Sequence, residues 1–338
     1  MRHMRLSSFL LPIFFSLCFF SLQAQMWVDT VGRSFKTHWS ERSAQPNPYR
    51  ITGVSVGCSA AFGAALAGLS IAWYGKYDKG PFHWFDDGKE WNQIDKTGHV
   101  FAPYFIANWT YDMYRWAGVN NRNAAIASGI LGMGFISAIE VLDGFSAKWG
   151  ASWSDLAANG AGALLSTGQY LLWGEQRILL KYSFHEVRYP ERELRDRAQQ
   201  LFGQQFGERI LKDYNGITMW LSINLHSFNH RIKPAWLNLA IGYGAGNMYG
   251  GFENKWTDRE GKEHDRTDVQ RYRKFLISID ADFTRIPVKS KGLRTFLRIL
   301  NIVKLPMPAL EFNTLGQFVL HPMYFLNWEY PIVIPMKK

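Results

Sequence analysis

Apolar and polar positions sort this chain into two textures, and the change comes near Gln176. Before it, long apolar segments carry few charges. Leu6–Leu22 is an almost unbroken apolar run behind Arg2 and Arg5, closed by Gln23-Ala24-Gln25. That is the form of a secretory signal peptide cleaved after about Ala24. Ile51–Tyr74 follows, rich in Gly and Ala. It is long enough to cross a hydrocarbon core, which takes roughly 20 residues. Its Gly57, Ala61, Ala64, Ala65 and Gly68 recur at a spacing that admits a second helix. Gly98–Ala117, Ala124–Leu142 and Leu156–Trp173 carry scattered polar residues. Each reads either as a membrane helix with a polar face or as a helix of a water-soluble bundle.

After Gln176 the period changes. Glu186–Arg209 is densely charged and reads as an exposed helix or linker. Then Met219, Leu221, Ile223 and Leu225 alternate with Ser222, Asn224 and His226, and Ile277, Ile279 and Ala281 with Ser278, Asp280 and Asp282. With a similar run over Trp236–Ala245, these are half-buried strands. Gly242, Gly244 and Gly246 point to curvature or close backbone approach, and Ala309–Ile334 holds a further strand pair. A transmembrane barrel takes at least about 8 strands of about 9–11 residues. The sequence offers four to six, interrupted by the helical-looking Gly292–Lys304. The expected fold class is therefore α+β, with about four apolar helices followed by a small antiparallel sheet or partial barrel. The expected divisions are 1–24 signal peptide, 25–180 helical membrane-associated domain, 181–212 charged helix or linker, and 213–338 basic β-rich domain.

Charge sharpens the division. The net +10 of the 338 residues is unevenly spread: 13 Lys and Arg against 12 Asp and Glu up to Glu175, then 25 against 16. On an exported chain a basic half faces anionic lipid or lipopolysaccharide phosphates rather than nucleic acid, or serves solubility alone. Protein partners stay open. The aromatic stretch Pro81–Trp91 suits a membrane–water boundary or packing against a neighbouring helix. Cys18 lies in the signal segment without the surroundings of a lipidation site, and Cys58 has no second cysteine in the mature chain. A disulfide framework is excluded.

The helical half also gathers polar residues. Asp95, Lys96 and His99 open the second apolar segment, Glu140 and Asp143 close the third, and Ser152, Asp155 and Asn159 open the fourth. Asp95 and His99, Glu140 and Asp143, and Asp155 and Asn159 are three or four apart, so each pair shares one helix face, and antiparallel neighbours would bring all three pairs to one end of the bundle. Three or four carboxylates with one imidazole could hold a divalent metal. Alternatively, crowding keeps one carboxyl protonated as a general acid beside His99 as base. Asp95, His99, Glu140, Asp143 and Asp155 are then the candidate catalytic residues, with Lys96 and Asn159 as binding residues. Plainer roles compete: Ser152 and Asp155 as a helix cap, Gly144 as a left-handed C-cap, His99 as a hydrogen-bonded structural residue. Glu140 is hardest to set aside, because a carboxylate deep in an apolar helix is costly unless paired. The chain carries no H-E-x-x-H, G-x-S-x-G or P-loop.

The Asp-Lys-x-x-His start, the Glu-x-x-Asp-Gly at a helix end and Trp-Ser-x-Asp-x-x-x-Asn-x-x-Gly resemble the YfiM-like family, over roughly Trp91–Gln176. Those are proteins of the periplasm or outer membrane of unknown function, and the basic half is similar to longer versions in Bacteroidetes-type bacteria. More weakly, the order resembles VanZ-like membrane proteins, linked to glycopeptide resistance. The short relatives carry a lipidated cysteine, which this chain replaces with an ordinary signal peptide. The resemblance implies an exported, membrane-associated envelope protein and supplies no reaction. The expected role is structural or lipid- or partner-binding, without a required cofactor. The alternative is a lipid-directed hydrolase or transferase using the carboxylate–histidine residues.

Overall fold

The computed structural model describes residues 41–72, 78–147, 149–258, 260–324 and 328–332. The signal segment, with Cys18, lies outside them. Two compact units result. A helical unit takes the described residues up to Gly88 with His99–Gln176, and a β unit takes Lys89–Gly98 with the described residues from Arg177 onward.

Four long helices build the first unit: α1 (Pro48–Ala72), α2 (Ile94–Trp116, whose first turn falls in the β unit), α3 (Asn121–Gly144) and α4 (Trp153–Trp173). Local chemistry sets several ends. Asn47 Oδ1 accepts from Arg50 N at 3.1 Å, ahead of Pro48 at the first helical position. Asn120 accepts from Asn123 N at 2.9 Å, and Ser152 Oγ accepts from Asp155 N at 3.2 Å. Of the small-residue stripe expected on α1, only Ala65 is buried on the packed side. Val54, Cys58, Phe62 and Ala65 go inward, and Phe62 stacks on Phe135 of α3 with ring centroids 4.4 Å apart. Larger side chains remove more apolar surface from water, so their face wins over the Gly/Ala face. Gly144 is no left-handed cap either: it is the last helical residue, and a Cβ there would lie 2.3 Å from the Phe82 ring.

Backbone-to-backbone contact decides where α2 sits. A Cβ on Gly132 of α3 would lie 2.6 Å from the Pro103 carbonyl oxygen, and one on Gly162 of α4 only 2.0 Å from that of Val100. Both neighbours therefore approach α2 more closely than any side chain allows. Pro103 also has no N–H to give the His99 carbonyl one turn back, which breaks the helical ladder beside that histidine.

The second unit is a seven-stranded antiparallel sheet in the order β1-β2-β3-β6-β7-β8-β9. Its strands are β1 (Ile178–Phe184), β2 (Ile217–Asn224), β3 (Leu237–Gly246), β6 (Tyr272–Ala281), β7 (Ala309–Asn313), β8 (Phe318–Met323) and β9 (Trp328–Ile332). Strands β4 (Lys255–Thr257) and β5 (Glu263–Asp265) form a separate hairpin. The charged stretch becomes α5 (Arg192–Phe202) and α6 (Phe206–Lys212), the short α7 (Leu225–Phe228) follows β2, and α8 (Lys291–Leu300) lies between β6 and β7. The region expected to hold a strand pair holds three strands, and β1 runs across the expected helical-to-linker division at residue 180.

The alternation read from sequence is present, with its sense reversed. The buried alternate positions are largely polar: Lys181 and Ser183 on β1, Thr218, Ser222 and Asn224 on β2, Asn238 on β3, Ser278 and Asp280 on β6, Glu311 and Asn313 on β7. Trp220 lies among them over Gly242, its Nε1 donating to Ser183 Oγ at 2.8 Å. The outward positions are apolar, and register aligns them in rows across the strands. One row runs Leu221-Ile241-Ile277-Leu310-Leu320 and another Ile223-Leu239-Ile279. A third, mostly aromatic, runs Tyr182-Met219-Tyr243-Phe275-Phe312-Phe318; its first three members are half-buried against Ile94, Ile217, Ala245 and Met248, while Phe275 and Phe312 are exposed. Ile277 is 57% exposed.

A polar interior stands only if its groups satisfy one another. Asp280 accepts from Lys181 Nζ at 2.9 Å and from Ser222 Oγ at 2.6 Å, with Lys304 Nζ at 3.9 Å. Asn238 donates to Ser222 Oγ at 2.9 Å, and Asn224 to Asn238 Oδ1 at 2.7 Å. On β7 and β8, Glu311 accepts from Asn313 Nδ2 at 3.0 Å and lies 3.0 Å from His321 Nε2.

Candidate functional site

Within the helical unit, His99 sits between two carboxylates. Its Nδ1 lies 3.1 Å from Asn159 Oδ1 and 3.5 Å from Glu140 Oε1, and its Nε2 lies 3.6 Å from Asp155 Oδ1. One residue comes from α2, one from the end of α3 and two from the start of α4. The glycine contacts just described hold them there: Val100, which Gly162 touches, is next to His99, and Gly162 is three residues past Asn159.

Glu140 is 2% exposed and Asn159 fully buried. Glu140 Oε2 accepts from Ser152 N at 3.4 Å. Among the described residues, Glu140 Oε1 and Asn159 Nδ2 have no hydrogen-bond partner. Burial, reinforced by the negative charges of Asp155 and Asp143, pushes the Glu140 carboxyl up to about 7, against the pull of His99 and the Ser152 N–H. This carboxyl therefore exchanges its proton near neutrality, which suits a general acid or base.

The remaining sequence candidates divide. Asp143 stands one turn beyond Glu140 near the end of α3 and acts on it through charge. Asp95 opens α2 in the β unit, where it accepts from Tyr214 Oη at 3.0 Å and pairs with Lys96 Nζ at 3.2 Å. Lys96 is thus engaged by its neighbour. If an ion bound at His99 Nε2, Asp155 would be one ligand beside it, with the Asn159 carbonyl orienting the ring from Nδ1. Glu140 lies on the opposite side of the imidazole, so it and Asp155 cannot share one ion at the same nitrogen.

Sequence reading missed Asp87. It is buried and accepts from Ser152 Oγ at 2.5 Å and Ser154 Oγ at 2.8 Å. This fixes the α4 cap and, through the Ser152 N–H, the Glu140 carboxylate. Nothing in its local spacing marks it, since only the strap over residues 78–88 carries it there. That strap runs beside residues 144–147 and 149–151, with Phe85 N donating to the Ala151 carbonyl at 2.9 Å and Ala151 N to that of His83 at 3.0 Å. It also places an aromatic cluster at this end of the unit. Trp84 stacks on Trp153 at 4.1 Å and Phe82 packs edgewise on Phe145 at 5.4 Å, all four exposed.

By length and composition, helices over Pro48–Gly68 and Asn121–Gly144 are long and apolar enough to cross a membrane. Residues 80–171 match the model of a family described as predicted periplasmic lipoprotein (DUF2279). The match covers the strap, the His99 cluster and most of α4, and the chain is an exported cell-envelope protein. No curated protein and no solved structure matches.

Proposed function

We propose that this envelope protein is seated in a membrane through the outer face of its sheet and acts there as a structural or lipid-engaging component. One observation carries the reading: the sheet buries its polar alternate positions and exposes its apolar ones. Water as the only solvent favours the opposite arrangement, whereas lipid favours this one, as in membrane barrels. Leu221, Ile241, Phe275, Ile277, Ile279, Leu310, Phe312 and Leu320 all expose more than a third of their surface in adjoining rows. A contiguous patch of that make-up exceeds what monomeric soluble proteins ordinarily show. The likeness of the Asp95-to-Asn159 series to YfiM-like and VanZ-like proteins fits an envelope role.

The test is flotation of the full chain with neutral phosphatidylcholine vesicles, beside a variant carrying Ile241→Lys and Ile277→Lys. The wild type is expected to float. Each lysine on the lipid face should cost on the order of 2 kcal/mol of partition, so that the variant stays in the dense fraction. Equal flotation of both, with the fold retained by circular dichroism, would sink the reading.

A second reading, a hydrolase or transferase acting on phosphate- or ester-bearing lipid, is favoured by two buried atoms beside His99, Glu140 Oε1 and Asn159 Nδ2, that have no hydrogen-bond partner among the described residues. On this reading Glu140 trades a proton with His99, or a divalent ion sits at Nε2. Because the folded-state pKa of Glu140 is raised, the folded protein holds its proton longer than the unfolded chain. Its contribution to stability is full below about pH 4.5 and is lost as pH rises towards about 7. Glu140→Gln should flatten that fall in urea unfolding measured at pH 5 and pH 8. It should also abolish an envelope phenotype at unchanged abundance, as should His99→Ala. Full complementation by Glu140→Gln would reduce the cluster to a structural network.

A further inference from the structure

We propose that α8 is an in-plane helix that anchors the β unit on phosphate-bearing anionic lipid, which rests on the lipid-facing reading of the sheet. The helix sorts two faces. Leu293, Phe296, Leu297 and Leu300 recur at three- and four-residue steps along one side, and Lys291, Arg294, Thr295 and Arg298 along the other. Ser290 starts it, its Oγ accepting from Leu293 N at 3.3 Å. In a water-soluble domain the apolar stripe of such a helix turns inward. Here Leu293 is 45% and Phe296 56% exposed.

The helix is held in this attitude from its C-terminal side. Asn301 Oδ1 accepts from Phe283 N at 2.9 Å and its Nδ2 donates to Asp282 Oδ1 at 3.1 Å. Lys304, fully buried, donates to the Ile279 carbonyl at 2.8 Å and to that of Leu305 at 3.0 Å. The segment therefore spends its polar anchors on the sheet interior and turns an apolar stripe outward.

Charge selects the occupant. Between Asp282 and Glu311 the chain has six Lys and Arg and no Asp or Glu. Lys304 is buried and Arg285 pairs with Asp282 at 3.2 Å, while Lys289, Lys291, Arg294 and Arg298 are exposed. The helix carries no acidic residue of its own. Exposed cations flanking an exposed apolar stripe match a surface that offers hydrocarbon at one depth and phosphate just above it. Neutral phospholipid meets the stripe and leaves the cations without net opposite charge; anionic lipid meets both.

The experiment compares flotation of the full chain on phosphatidylcholine vesicles and on vesicles of phosphatidylglycerol with phosphatidylcholine. A paired variant carries Arg294→Glu and Arg298→Glu. The wild type is expected to partition at least roughly tenfold more strongly into the anionic vesicles, and the variant to lose that preference while binding neutral vesicles within about twofold of the wild type. Phe296→Ser should weaken binding to both. Wild-type binding that is equal on the two vesicles overturns the assignment of α8 and leaves the sheet reading intact. An undiminished anionic preference in the double-glutamate variant, folded by circular dichroism, also overturns it. Failure of the wild type to float on either removes the sheet reading and this one with it.

Discussion

Asp280→Ala is expected to destabilise the protein by about 3–5 kcal/mol, the size of effect that follows when one partner of a buried ion pair is removed. The single carboxylate lies between two ammonium groups, Lys181 at 2.9 Å and Lys304 at 3.9 Å, and all three side chains are fully buried. Removing it takes the nearest carboxylate from both ammonium groups, leaving Lys181 only the weaker pull of Asp282, and takes the acceptor from Ser222. Removing Lys181 instead leaves Lys304 opposite the carboxylate, so Lys181→Met should cost less. Replacing the pair together, as Lys181→Met with Asp280→Leu, should recover part of the loss, since apolar substitutes often match a buried ion pair. Guanidinium unfolding in detergent, followed by tryptophan fluorescence, reads all three. A loss below about 1 kcal/mol for Asp280→Ala would mean that water reaches the interior and that the sheet is not the closed polar core described above.

Gly162→Ala should cost about 3 kcal/mol, at the upper end of ordinary overpacking. The added Cβ would fall 2.0 Å from a backbone oxygen, which cannot rotate away as a side chain can. Relief requires α2 and α4 to separate, and the same movement opens the 3.1 Å contact of His99 with Asn159. The variant is therefore expected to lose both thermal stability and the nitrogen chemical shift that marks a hydrogen-bonded His99 Nδ1. Gly168→Ala, on the same helix with open space around it, is the control. It should be neutral or stabilising by up to about 1 kcal/mol through helix propensity. Equal behaviour of the two variants would show that helix approach at Gly162 does not set the site.

These two expectations mark where local pattern and three-dimensional arrangement part. The α+β class, the order of helices before strands and the strand segments at β2, β3 and β6 follow from periodicity, because 3.6- and 2-residue repeats are written in the chain itself. Glu140, Asp155, Asn159 and His99 were legible as same-face polar residues at helix ends. The packed side of α1 was not, since its Gly/Ala stripe and its Val54-Cys58-Phe62 face have the same helical period and only contact area separates them. Asp87 was not, because a chain segment with no regular period carries it.

The sequence by itself carried an exported, two-textured chain, its main helix and strand segments, its charge asymmetry and a set of same-face polar residues. Tertiary structure alone decided which alternate positions of each strand are buried. A period-2 pattern states that two faces differ and is silent on which one meets the solvent. That depends on whether the polar residues of β1, β2, β3 and β6 can pair with one another across the sheet, as Lys181, Ser222, Asn238 and Asp280 do. The distances at His99 were decided the same way, by two glycines on different helices that let three backbones come closer than side chains would allow.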